Sequence, residues 1–276
     1  MKGTLYIVST PVGNLEDITL RAIRILGEVD IIAAEDTRHS VKLLNHLGIR
    51  KPMISYWREK EQVRSDEITK RLHAGQSIAL ISDAGTPGIS DPGAVLIKKA
   101  IEENIQIVSI PGPSAFVAAL SVSGLPTDQF TFLGFLPSRT AQRQKFLREV
   151  YLEQRTLIFY EAPHRIVNTL LDMSHIFGER RSALVKEITK YHEDVVRGSI
   201  TEIIEEVQKT TIAGEYVIIV EGWSGMIKSI TEDVLSELHA CMRKGLGRKE
   251  AVKRIAETFG LSKKELYKKS LDESAG

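Results

Sequence analysis

At 276 residues, 42% of them hydrophobic and 26% charged, the chain has ordinary globular composition and enough length for two sizeable cores, which excludes disorder as its default state. Its formal net charge of +1 supplies no global attraction to nucleic acid, so any basic surface must be sought segment by segment. The single cysteine, Cys241, excludes an internal disulfide and a cysteine metal cluster, and the apolar runs are strand-length with no long apolar leader; we expect a soluble, cytoplasmic protein.

Leu5 to Val8 is predicted as a strand running into Ser9-Thr10-Pro11-Val12-Gly13-Asn14, after which Ile18, Ala22, Ile25 and Leu26 recur at helical spacing. Asp17 suits the N-cap or first turn of that helix, where a carboxylate meets unpaired amides. Ile31 to Ala34 reads as a second strand. At its end Glu35-Asp36-Thr37-Arg38-His39 gathers two acids and two potential cations, which form either a helix cap with solvated charges or part of a site. Lys60 to Ala74 reads as a charged helix with Val63, Ile68 and Leu72 on its apolar side and Gly75 as its stop.

The chain is organised around Ile78 to Gly93, IALISDAGTPGISDPG. Ile78 to Ile81 is an unbroken apolar run, as expected of a parallel strand buried on both faces, and it stops at Ser82-Asp83. Gly85, Gly88 and Gly93 with Pro87 and Pro92 then predict a shaped loop at the carboxyl end of the strand, where ligands of open α/β sheets bind. A helix follows from Pro92 to Glu103, packing Val95, Leu96, Ala100 and Ile101; a further strand, Ile105 to Ile110, leads into a second such loop, Pro111-Gly112-Pro113-Ser114-Ala115. Strands alternating with helices imply a mostly parallel sheet, and two Gly/Pro loops at strand ends are either plain surface turns or, as their repetition favours, the wall of one small-molecule cleft. Neither a G-x-G-x-x-G helix opening nor a P-loop occurs.

Leu125-Pro126-Thr127-Asp128 reads as a linker, with a domain boundary near Ser121, and Phe130, Phe132 and Phe135 alternate like a strand. Ser138 to Glu153 is helical and basic, and Arg139, Arg143, Lys145 and Arg148 are either a solvated face or a phosphate-facing one. Leu157 to Tyr160 precedes Glu161-Ala162-Pro163-His164-Arg165, and Ala183 to Val185 precedes Lys186-Glu187-Ile188-Thr189-Lys190, with His192 and Glu193 close behind; Tyr216 to Val220 is the last strand. No histidine pair has metal-ligand spacing, so no metal is expected.

From Met226 the chain is helical and basic, with eight Lys and three Arg against eight acids, a balance of 11 − 8 = +3. Leu235, Leu238 and Met242 line one helix; Ala251, Val252, Ile255, Ala256 and Phe259 line a second; Gly260 breaks the chain and Ser262-Lys263-Lys264-Glu265 has capping-box form. Two short helices around a glycine turn form either a helix-turn-helix or a small packing bundle.

Taken together, ISDAGTPGISDPG, IPGPSA, FYEAPHRI and KEITKYHED resemble the tetrapyrrole-methylase superfamily. The opening VSTPVGNLEDITLRA and AAEDTRH, and the closing GRKEAVKRIAETFGLSKKELYK, resemble its ribosomal RNA branch. Where tetrapyrrole-modifying members carry a glycine-rich first loop and a Gly-Asp-Pro motif, this chain has Pro11-Val12-Gly13 and Ser82-Asp83-Ala84, which argues against a corrin or porphyrin substrate. The resemblance implies a mostly parallel N-terminal α/β domain over 1–120, a mixed α/β domain over 121–225 that closes the cofactor cleft, and a small helical domain over 226–276. It further implies S-adenosylmethionine-dependent 2′-O-methylation of a cytidine ribose in the decoding region of 16S rRNA, with the 30S subunit as partner and a homodimer as the assembly. By motif, Pro11, Val12, Ser82, Asp83, Ala84, Gly85, Thr86, Ser114, Ala115, Glu161 and Ala162 would hold the cofactor. A ribose hydroxyl needs a base or a neighbouring cation to become nucleophilic; Glu35, Asp36, Lys186, Glu187 and His192 are the candidates. Two other readings remain open: a small-molecule, tetrapyrrole-like methyltransferase, and a ligand-sensing regulator whose tail binds DNA.

Overall fold

The computed structural model describes residues 2–224, 232–259 and 261–272. The expected division after Gly225 and the break at Gly260 lie outside the described residues.

The first lobe holds β1 (Thr4–Val8), α1 (Leu20–Glu28), β2 (Ile31–Ala34), α2 (Thr37–His46), β3 (Met53–Ser55), α3 (Glu61–His73), β4 (Ile78–Ile81), α4 (Ala94–Glu102) and β5 (Gln106–Ile110). All five strands run parallel in the order β3-β2-β4-β1-β5. The central position of β4 explains its unbroken apolar sequence: Ile78 and Leu80 pack with Tyr56, Ile68, Leu72 and Leu96, while Ala79 and Ile81 pack with Ala22, Ile25 and Leu26 on the opposite face. Three expectations need correction. Thr19, not Asp17, caps α1 by accepting from Ala22 N at 3.1 Å, and Asp17 lies in a short 3-10 turn capped by Asn14. Val63 is 69% exposed, and α3 buries Ser65 and Thr69 instead beside Ile68 and Leu72. Ile101 is 63% exposed, and Ile97 packs on the core in its place, one helical turn earlier.

The second lobe holds α5 (Ala115–Ser123), β6 (Phe130–Phe135), α6 (Thr140–Glu149), β7 (Thr156–Glu161), α7 (Ile166–Phe177), β8 (Arg181–Lys186), β9 (Asp194–Ser199), α8 (Ile200–Lys209) and β10 (Tyr216–Val220). Its strands lie in the order β6-β7-β10-β8-β9, and only β6 and β7 pair in parallel. Ala119 and Leu120 of α5 pack on Ile158, Ala183, Val185, Val217 and Ile219, so α5 belongs by contact to this second sheet. We therefore move the proposed division from residue 120 to the Pro111–Ser114 loop. A register shift between Phe132 and Phe135, with Gly134 at φ 63°, breaks the expected alternation of the phenylalanines.

In α6 the structure removes Arg143 from any phosphate-facing surface. Arg143 is 3% exposed, its Nη2 stands 2.6 Å from Asp172 Oδ2 on α7, and Gln144 donates to the other oxygen at 2.7 Å. A buried guanidinium without that carboxylate would be strongly unfavourable, so the pair ties α6 to α7. Arg139, Lys145 and Arg148 are exposed.

The tail forms α9 (Glu232–Arg243), α10 (Arg248–Phe259) and α11 (Lys263–Asp272) around Leu235, Leu238, Val252, Ile255 and Leu266. It touches the second lobe through Phe259 and Tyr151, whose ring centroids are 5.6 Å apart.

Candidate functional site

The strand-end loops of the first lobe are tied to one another before they meet the second. Thr10 N donates to Gly85 O at 2.8 Å, Gly85 N returns the bond to Thr10 O at 3.0 Å, and the Ser9 and Thr86 hydroxyls lie 2.8 Å apart. Gly85 has φ 77°, a conformation unfavourable for any residue with a Cβ, and a Cβ built there would lie 3.6 Å from Val12 Cγ1. The Gly/Pro-rich stretches thus form one shaped wall.

Against this wall the second lobe presents Ala115 and Phe116 at the start of α5, Phe135 of β6, Tyr160 to Ala162 at the end of β7, Ile188 after β8, and Tyr216. Between the lobes lies a cleft of about 470 Å³. Val12, Ala84, Gly85, Thr86, Ser114, Ala115, Glu161 and Ala162, all expected at the site from sequence, border it. Pro11, Ser82 and Asp83 do not border it. The Ser82 hydroxyl donates to Ala84 O at 3.3 Å, and the Asp83 carboxylate accepts from Asp36 N at 3.1 Å, so these residues shape the loop. Glu161 borders the cleft, but its side chain is tied up elsewhere. Its carboxylate is fully buried and accepts from Ala162 N at 2.8 Å, Arg165 Nε at 2.8 Å and Thr169 Oγ1 at 2.6 Å.

None of the five candidate hydroxyl activators lines the cleft, and they divide between the lobes. Asp36 caps α2 by accepting from Arg38 N at 2.9 Å, and the Arg38 guanidinium holds its carboxyl down at about 2. Glu35 accepts from Asp83 N at 3.4 Å, and burial raises its pKa. Lys186 Nζ donates to Thr211 O at 2.8 Å; Glu187 accepts from Lys190 Nζ at 2.8 Å and Glu215 N at 2.9 Å; His192 stands edge-on to Tyr191. Among the described residues no group of three or more His, Cys, Asp or Glu could hold a metal, and no helix is long and apolar enough to cross a membrane.

Asp91 and Tyr160 were not singled out from the sequence, yet both line the cleft. The signal for Asp91 was an acid inside the Gly/Pro loop after a buried strand. Burial, then the Glu35 and Asp83 carboxylates, push its pKa up to about 7, against a hydrogen bond from Ser82 and the charge of Arg58. Tyr160 accepts from Phe116 N at 3.2 Å, and burial pushes its hydroxyl up to about 12.

The Asp91 shift fixes the sign of a stability effect. A carboxyl whose folded-state pKa lies above its unfolded value takes up protons on folding, so it costs increasing stability as pH rises from about 4 towards 7. Asp91→Asn should therefore melt above the wild type at pH 8, with the gap closing as pH falls to about 4. Thermal unfolding across that range checks it; a gap independent of pH would contradict the assignment.

The match to known proteins covers most of the chain. The family model for Tetrapyrrole (Corrin/Porphyrin) Methylases matches residues 4–204. A Synechocystis sp. protein named ribosomal RNA small subunit methyltransferase I is 46% identical over 98% of both chains. The protein of that name from Escherichia coli O157:H7 is 42% identical over 99% of this chain and 96% of its own. Among solved structures, uroporphyrin-III C-methyltransferase from Thermus thermophilus, complexed with S-adenosyl homocysteine, superposes with a TM-score of 0.56 at 18% identity, over 79% of this chain and 97% of its own. Diphthine synthase superposes with a TM-score of 0.61 at 13% identity, over 79% of this chain and 90% of its own, so both share the fold. With its strand-end loops facing a second, mixed sheet across one cleft, and with relatives similar over nearly their whole length, the chain belongs to the tetrapyrrole methylase family, in the group of ribosomal RNA small subunit methyltransferases I.

Proposed function

We propose that the protein is an S-adenosylmethionine-dependent methyltransferase of ribosomal RNA that methylates the ribose 2′-oxygen of a cytidine in the decoding region of 16S rRNA. The observation that carries this reading is similarity at 42–46% identity, end to end, with proteins named for small-subunit rRNA methylation. The cleft suits the cofactor. Its volume of about 470 Å³ is that of a small-molecule site, Val12, Ile89, Phe116 and Phe135 offer apolar surface for a purine, and backbone groups of the Ala84–Thr86 loop offer hydrogen bonds. When bound there, S-adenosylmethionine supplies an electrophilic methyl group. The chain's contribution is alignment of the acceptor oxygen and exclusion of water, which the two-walled cleft favours. Glu35, Asp36, Lys186, Glu187 and His192 remain our proposals for hydroxyl activation. A homodimer in the cytoplasm acting on the 30S subunit completes the reading.

Two dispersed basic surfaces support a folded RNA substrate. Arg139, Lys145 and Arg148 are exposed on the second lobe, and Lys249, Lys253 and Lys264 line one groove between α10 and α11. Methyl transfer to purified 30S subunits should exceed transfer to naked 16S rRNA and to a short hairpin carrying the target cytidine by at least about tenfold, since each phosphate contact multiplies affinity. Equal transfer to the hairpin would overturn the claim of an extended surface. Turnover of a tetrapyrrole with none of RNA would instead favour the small-molecule reading.

A further inference from the structure

The loop after β8 spends backbone strain to hold an aromatic pair in solvent. Glu187 has φ 51° and Thr189 φ 65°, both in the left-handed region, and a β-branched residue there is an outlier. Thr189 Oγ1 is buried with no hydrogen-bond partner. The strain is fixed in place. Glu187 N donates to Glu215 O at 2.9 Å, Lys190 Nζ reaches Glu187 at 2.8 Å and Glu215 at 3.1 Å, and Thr189 N donates to Glu193 Oε2 at 2.6 Å. Ile188 lines the cleft, and its carbonyl lies 3.1 Å from where a Cβ on Gly13 would stand, so the loop abuts the first lobe at the cleft.

At the loop's outer end Tyr191 is 97% exposed, with the His192 ring 4.9 Å away at 83°. Both rings are exposed, that of Tyr191 almost completely. A clamped, strained backbone with its rings in water is instead suited to a partner presenting a planar face. The neighbouring Glu193 and Asp194 carboxylates repel a phosphate and can accept from the exocyclic amine of a base. We propose that Tyr191 and His192 form a stacking seat for an amine-bearing nucleobase of the RNA substrate, which sets the target nucleotide at the mouth of the cleft. This rests on the ribosomal RNA reading above.

The test measures binding of the full-length protein to purified 30S subunits over a range of salt concentrations, together with KM and kcat for methyl transfer. Tyr191→Ala, Tyr191→Leu and His192→Ala should each weaken binding about tenfold or more, within the range of base–aromatic stacking, and the two Tyr191 variants should raise KM with kcat little changed. Tyr191→Phe should bind as the wild type does, and the slope of log affinity on log salt should stay constant throughout, because no phosphate contact is lost. Wild-type affinity in the Ala variants, Leu performing as well as Phe, or a flattened salt slope would each overturn the seat. Failure of the wild type itself to bind or methylate 30S subunits would overturn the RNA reading, and the seat with it.

Discussion

Gly85→Val is expected to abolish measurable S-adenosylmethionine binding while the protein still folds. At φ 77° any residue with a Cβ costs about 1–2 kcal/mol, and branching at that carbon adds to it. The first carbon itself would fit, 3.6 Å from Val12 Cγ1 and 3.9 Å from Pro113 O. The two further methyls of valine would then enter the cleft or press on those atoms. Gly85→Ala separates the two causes, since it carries the backbone strain alone; its affinity should fall far less. Calorimetric titration alongside circular dichroism decides the matter, and wild-type affinity in a folded Gly85→Val protein would remove the β4 loop from the cofactor site.

The second large effect lies far from the cleft. Arg143→Ala leaves Asp172 buried without its guanidinium, and breaking such a pair costs about 3–5 kcal/mol. For a chain of this size that lowers Tm by roughly 10 °C. Arg139→Ala, on the exposed end of the same segment, should leave Tm within about 1 °C, because surface substitutions are usually close to neutral. The opposite pattern, an unchanged Tm and weakened RNA binding in Arg143→Ala, would return Arg143 to the surface face first expected of it.

The contrast between these arginines marks the limit of what the sequence discloses. A basic run looks alike whether its members face water or a buried acid, and Asp172, 29 positions away in the chain, gives no local sign of the pairing. The strands with continuous apolar sequence, β4 and β10 above all, were legible because burial on both faces leaves no charged position in them. Short or half-covered elements were not: β3 has three residues, and β9 has only two apolar residues, Val195 and Val196, among polar ones and a glycine. Helices α7 and α8 were missed although Ser199 and Glu202 form a capping box, a signal present in the sequence. At the site, glycine and proline density located the loops, whereas Asp91 and Tyr160 entered only through the cleft that the two lobes form together. Glu161 was expected at the site, but the turn of its carboxylate towards Arg165 and Thr169 depends on the fold.

The passage of the chain between lobes has a consequence for ligand capture. It runs from Ile110 to Ala115, through Pro111 and Pro113, and its far end, Ser114 and Ala115, is itself part of the cleft. Two rings lock two φ angles in this short joint, and the Ser9 amide bonds to Ile110 O at 3.3 Å at its root. The two walls therefore sample few relative orientations before any ligand arrives. A stiff joint of this kind makes the cavity preorganised: the entropy of arranging its walls is lost during folding, so a guest that enters forfeits little beyond its own freedom.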